Sequence, residues 1–173
     1  MPVQNRIMIF VDHNNIFREF QKLKLKFDYV KLKNLITAKR TLITTIKYAG
    51  IDFSSDKTEI TKQKIFEAVL NKKGIISKSV YLKKLSTGER KEKEIDVTLA
   101  TDMIAYGFKD CYDIAVLISG DGDFRPAIRW ILSLNKKVEI WSFKKALSPR
   151  IKNVVNNEDI FYLDDHLKEI EKC

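Results

Sequence analysis

The segment Ile114-Ala115-Val116-Leu117-Ile118-Ser119-Gly120-Asp121-Gly122-Asp123-Phe124 runs five apolar residues without a break and ends in a polar turn with two aspartates. A strand with one wet face alternates apolar and polar residues. An unbroken apolar run needs cover on both faces, as in a parallel sheet between helices. The same pattern opens the chain, where Ile7 to Val11 is followed at once by Asp12. Further strand-length runs lie at 42–48, 77–82 and 138–141, with helix-length segments at 15–24, 30–40, 59–71, 95–106 and 123–134. The order β-α-α-β-α-β-α-β-α-β predicts right-handed crossovers and a doubly wound, Rossmann-like α/β domain of three layers. Its central sheet is expected to be mainly parallel, with about five to six strands in a 3-2-1-4-5 core order. Ile160 to Leu163 supplies either a last edge strand or a homodimer contact.

Cations followed by a glycine at Lys72-Lys73-Gly74 mark the end of the 59–71 helix, and Asn135-Lys136-Lys137 follows the 123–134 helix. The polar, charged stretch 86–94 reads as an exposed loop, and 164–173 as a short amphipathic tail helix. The chain has no internal repeat and no low-complexity tract, so 1–173 is expected to form a single domain.

With 173 residues, the chain is long enough to bury roughly 70% of its unfolded surface without disulfides or structural metal. Its cysteines, Cys111 and Cys173, form no CxxC, and neither His13 nor His166 stands at ligand spacing from them. Disulfide scaffolds and zinc fingers are excluded. No apolar run approaches the roughly 20 residues of a membrane span, and the N-terminus lacks a signal-peptide pattern. A reducing, cytoplasmic setting is expected.

Net charge is +9, from 32 basic and 23 acidic residues, and it is unevenly placed. Residues 21–40 hold seven basic residues against one acidic, and residues 57–93 hold eleven against four. The remainder is therefore acidic. Basic segments beside an acidic site suit a polyanion that is steered electrostatically to its chemistry, although a solvated lysine-rich face explains the same count.

The aspartates carry the chemical information. Asp12 follows the first strand, Asp121 and Asp123 follow the fourth, and Asp96 opens the helix leading into that fourth strand. Strand ends and crossover-helix starts share one rim of a parallel sheet. The first and fourth strands are neighbours where the strand order reverses, the usual ligand site of such sheets. Asp at a helix start is commonly a simple cap. Four on one rim, however, repel one another and call for a cation. Oxygen donors without His or Cys select Mg²⁺ or Mn²⁺, which can activate water and stabilise phosphoryl transfer. Asn15, three residues after Asp12, either caps the first helix or takes part in catalysis. Asp102 lies about 120° around the helix from Asp96, so it is expected behind the carboxylates, as is Ser119. His13 is expected to pack rather than act.

These blocks resemble the NYN domains, the LabA-like group of PIN-like nucleases. Ile9-Phe10-Val11-Asp12-His13-Asn14-Asn15-Ile16 is similar to the opening hydrophobic-Asp-Gly-x-Asn-Leu motif, Lys93 to Met103 to the Lys-Gly-Val-Asp-Val-x-Leu-x-x-Asp block, and Tyr112 to Phe124 to the Ser-Gly-Asp-x-Asp-Phe block. The resemblance covers about residues 6–164, with His13 and Glu94 standing where the group has glycine. It implies a PIN-like sheet, metal binding by Asp12, Asp96, Asp121 and Asp123, and ribonuclease activity.

The function expected is a metal-dependent, endonucleolytic ribonuclease, with Arg90, Lys91, Lys93 and Arg125 contacting RNA phosphates. A non-catalytic RNA-binding or adaptor module on the same fold is the alternative. A phosphatase with an aspartyl nucleophile would carry Asp-x-Asp after the first strand, where this chain has Asp12-His13-Asn14. Gly-rich nucleotide motifs are absent from the sequence.

Overall fold

The computed structural model describes residues 5–52, 57–82 and 93–172. Its elements are β1 (Arg6–Asp12), α1 (His13–Lys22), α2 (Tyr29–Thr37), β2 (Thr41–Asp52), α3 (Lys57–Lys72), β3 (Ile75–Leu82), α4 (Lys93–Phe108), β4 (Ile114–Ile118), α5 (Arg125–Ser133), β5 (Lys137–Ser142), α6 (Pro149–Lys152), β6 (Ile160–Tyr162) and α7 (Leu167–Ile170). All paired strands run parallel, in the order β3-β2-β1-β4-β5-β6.

Alternation along each buried strand feeds two cores. Met8 and Phe10 of β1 join Ala115 and Leu117 of β4 beneath Ile95, Leu99 and Met103 of α4 and Ile128 and Ile131 of α5. Ile7, Ile9 and Val11 join Val116 and Ile118 on the other face, under Ile16 and Phe20 of α1 and Leu32 and Ile36 of α2. Each such side chain contributes about 1.5–3 kcal/mol by leaving water. The result is a three-layer, PIN-like α/β domain.

Order reverses between β1 and β4, whose register pairs Val11 with Ile118. Asp12 and Ser119 therefore leave the sheet side by side. At the opposite end of these strands, Asp113 takes Arg6 Nη2 at 2.7 Å and the Arg6 backbone N–H at 3.0 Å, fixing where the pair begins.

Several boundaries differ from the sequence expectation for local reasons. Helix α1 starts at His13 because Asp12 itself is the cap. Helix α2 stops at Thr37, where Ala38 turns to φ 46°. Gly74 closes α3 at φ 74°, a conformation glycine adopts without strain. The 160–163 segment supplies the edge strand β6, paired with β5. The expected 164–173 helix is a 3-10 turn, Leu163–His166, running into the single turn of α7. Arg90, Lys91 and most of the expected 86–94 loop lie outside the described residues. No helix among the described residues is long and apolar enough to cross a membrane.

Candidate active site

Asp12 is the hinge between β1 and α1. One carboxylate oxygen accepts the Asn15 backbone N–H at 3.2 Å, and the other accepts the Ser119 hydroxyl at 2.8 Å. Asn15 returns the link, its Oδ1 accepting the Gly120 N–H at 3.1 Å. Ser119 Oγ in turn accepts the Asp121 N–H at 3.2 Å, and Asp121 Oδ1 accepts the Asp123 N–H at 2.9 Å to start the 3-10 turn Gly122–Phe124. The β1 and β4 loops are thus stitched together by side chains from both.

Two glycines make this loop possible. A Cβ on Gly120 would stand 2.3 Å from the Ala146 carbonyl oxygen, and one on Gly122 would stand 2.5 Å from Ser148 Oγ. The Gly120 carbonyl also accepts the Ser148 N–H at 2.9 Å, so the β5–α6 connection presses directly on the β4 turn.

Asp12, Asn14, Asn15, Arg18, Asp96 and Asp121 line a cleft of about 50 Å³. Asp96 also borders the adjoining hollow of about 260 Å³, with Val97, Ala100, Asp123 and Phe124. The structure therefore brings Asp12, Asp96 and Asp121 to one cleft and sets Asp123 at the next, 80% exposed and paired with Arg150 Nη1 at 3.1 Å. Among the described residues, no three acidic, His or Cys side chains stand near enough to one another to enclose a metal ion. The donor set nevertheless suits a hard cation, being carboxylate and amide oxygen without nitrogen or sulfur ligands. A cleft of this size takes an ion or a water or two, each water occupying about 30 Å³.

Burial holds the Asp12 carboxyl up at about 6, and the nearby Asp121 charge adds to this. The Ser119 and Asn15 hydrogen bonds and Arg18 pull the other way. A positive charge bound beside this carboxyl would favour its ionised form.

Asp102 is held away from the cleft by the Tyr48 hydroxyl at 2.7 Å and Lys78 Nζ at 2.6 Å, on the side of α4 facing β2 and β3. His13 lies among Phe17, Phe27 and Tyr29, its Nδ1 sharing a hydrogen bond with the Tyr29 hydroxyl. Burial first, and then Lys47, hold His13 down at about 3, so the imidazole is neutral. Lys93 begins α4, and Arg125 begins α5 beside the Asp123 turn.

Sequence reasoning missed Asn14, Arg18 and Arg150. Asn14 and Arg18 lie close to Asp12 in the sequence, and Arg18 is about one turn beyond Asn14 on α1, a spacing that places both on one helix face. Arg150 reaches Asp123 only through the β5–α6 connection, and no local pattern announces it. Also unforeseen is Lys47, fully buried on β2, whose Nζ has no hydrogen-bond partner among the described residues and lies 5.3 Å from the Phe66 ring centroid. Its amine is held down at about 8 by burial, with Glu67 opposing.

A family model described as the NYN domain matches residues 6–163. The chain is 26% identical over 159 residues to the low amplitude and bright protein LabA of Synechococcus elongatus, an alignment spanning 88% of this chain and 81% of that protein. A crystal structure of a protein of unknown function from Vibrio parahaemolyticus shares the fold, with a TM-score of 0.75 over 99% of each chain at 22% identity. The chain belongs to the NYN domain family, and with it to the PIN-like nuclease superfamily.

Proposed function

We propose that the protein is a metal-dependent ribonuclease that hydrolyses RNA phosphodiesters endonucleolytically, leaving a 3′-hydroxyl and a 5′-phosphate. The observation that carries this reading is the single cleft shared by Asp12, Asp96 and Asp121 at the point where strand order reverses. Asp12, Asp96 and Asp121 would hold Mg²⁺ or Mn²⁺, with Asp123 at the outer edge. When bound, such a cation lowers the pKa of water and offsets charge on the phosphoryl oxygens. Ser119 and the Asn15 amide keep the Asp12 carboxylate in one orientation. The Asn15 side chain fixes the Gly120 backbone, and hence the Asp121 turn, against α1. Arg18, on the cleft wall, is placed to balance substrate phosphate charge.

The test is cleavage of a panel of single-stranded and structured RNAs with Mn²⁺ or Mg²⁺, against EDTA and an Asp121→Asn protein. Cleavage that needs both metal and Asp121 supports the reading, and undiminished cleavage by Asp121→Asn overturns it. The separation of the carboxylates noted above favours a second reading, a non-catalytic RNA-binding module. Salt-sensitive RNA binding shared by both proteins, with no cleavage, would establish that module instead. We further propose that 1–173 acts as one domain in the cytoplasm.

A further inference from the structure

Helix α5 has two unlike sides. Ala127, Ile128 and Ile131 are buried in the core. On the other side, Arg125, Arg129 and Ser133 recur every fourth residue as one row, with Pro126 and Trp130 as the row beside it. These five residues and Arg150 of α6 line a groove of about 620 Å³. Trp130 is 63% exposed at its centre, whereas the protein's other tryptophan, Trp141, is buried at 5%. Among the described residues, the groove wall contains three guanidinium groups and no carboxylate. Arg125 and Arg129 form no salt bridge among the described residues, and Arg150 is engaged only at its edge, by Asp123.

The groove is linked to the acidic cleft through the Arg150–Asp123 pair. Asp96 borders both the cleft and the adjoining hollow, Asp123 borders that hollow, and Asp123 holds Arg150 on the groove wall. A strand lying along this path passes from cations and an exposed ring directly to the carboxylates. We propose that the α5 groove is the track for single-stranded RNA flanking the scissile phosphate, with a base stacked on Trp130 and neighbouring phosphates on Arg125, Arg129 and Arg150; this rests on the ribonuclease reading above.

Charge complementarity selects a polyanion, and the exposed indole selects one with unpaired aromatic bases. A duplex keeps its bases stacked internally and offers a side chain no free ring face. Stacking on an aromatic side chain is insensitive to sequence, because every base presents a π-face. An acidic protein surface would satisfy the arginines but would make no such use of Trp130.

The experiment measures binding of a fluorescein-labelled oligouridylate of about 12 nucleotides by anisotropy, in EDTA so that metal-dependent cleavage is silent. It compares the full chain with Trp130→Ala, Trp130→Phe and Arg129→Gln. Both positions are exposed, and circular dichroism checks that each variant folds. Trp130→Ala should weaken binding about tenfold or more, and Trp130→Phe should recover most of the loss. Arg129→Gln should lower the slope of log Kd against log salt by about 0.7. Unchanged affinity in Trp130→Ala and Arg129→Gln, or no binding by the full chain, overturns the proposal. So does poly-glutamate binding at least as tightly as the RNA with the same dependence on Trp130. Separate cleavage assays keep the two ideas apart. Asp121-dependent cleavage with an unchanged KM in Trp130→Ala would sink the groove and leave the nuclease standing. RNA held through Trp130 without metal-dependent cleavage would do the reverse.

Discussion

Replacing Asp12 with Asn separates two demands on that side chain, folding and chemistry. Asp12 is 5% exposed, and burial holds its carboxyl at about 6 against an ordinary 3.8. A folded value above the unfolded one means that the native state prefers the protonated acid. Native stability therefore falls as pH rises from about 4 through about 6, by about 3 kcal/mol in all at roughly 1.4 kcal/mol per pH unit. Asn has no charge to desolvate. Its carbonyl can still accept the Asn15 N–H and its NH₂ can face Ser119 Oγ, so the local hydrogen bonds are largely kept. In EDTA at about pH 7.5, Asp12→Asn should exceed the native chain in stability by about 2 kcal/mol, and the gap should close near pH 4. Urea denaturation followed by circular dichroism at several pH values reads this directly. Adding Mn²⁺ at about pH 7.5 should stabilise the native chain alone and narrow the gap, because only that chain keeps all three carboxylates of the cleft. An Asn variant less stable than the native chain at that pH, or a difference that ignores pH, would refute the reasoning.

Three further outcomes are expected. Lys47→Met removes a buried ammonium whose pKa has been pushed from 10.5 to about 8, and it should raise stability at neutral pH by about 1–3 kcal/mol in urea titration, with the advantage shrinking as pH rises from about 8 to above 10. Asp113→Ala should cost about 2 kcal/mol, below the figure for a fully buried pair because Arg6 is 39% exposed. Arg6 holds the Asp113 carboxyl below its usual 3.8, so this contribution is complete above about pH 4 and should vanish in acid unfolding as pH falls through the lower native value. Gly120→Ala forces a Cβ against the Ala146 carbonyl; thermal melts should show a loss of about 3 kcal/mol, with cleavage falling as the Asp121 turn moves.

The sheet was readable from the sequence because β1 and β4 are buried on both faces and say so in unbroken apolar runs. Placing them as neighbours follows from topology alone and sets Asp12 facing Asp121 and Asp123, of which Asp121 shares its cleft while Asp123 borders the next hollow. Strand β6, three residues long, was too short to declare itself and emerged only as one of two options for Ile160 to Leu163. Asp123 illustrates the limit at the site. Its position in the chain put it on the correct rim, but the 3-10 turn, capped by Asp121, leaves its side chain exposed, and its partner Arg150 is distant in sequence. Lys47 was invisible for the opposite reason: a lone lysine in a strand ordinarily faces water, and only tertiary packing, with Phe66 of α3 beside the amine, buries it. Trp130 carries no local signal of its exposure, and the way α5 packs turns it to solvent.

The proposed nuclease depends on a metal ion held by the cleft carboxylates. The most direct test follows Mn²⁺ binding and RNA cleavage on the same samples of the native and Asp96→Asn proteins. Cleavage should rise with Mn²⁺ occupancy, yield 5′-phosphate ends, and be lost together with metal binding in Asp96→Asn. Cleavage that continues in EDTA or in Asp96→Asn, or Mn²⁺ bound at the cleft with no RNA cut, would contradict it.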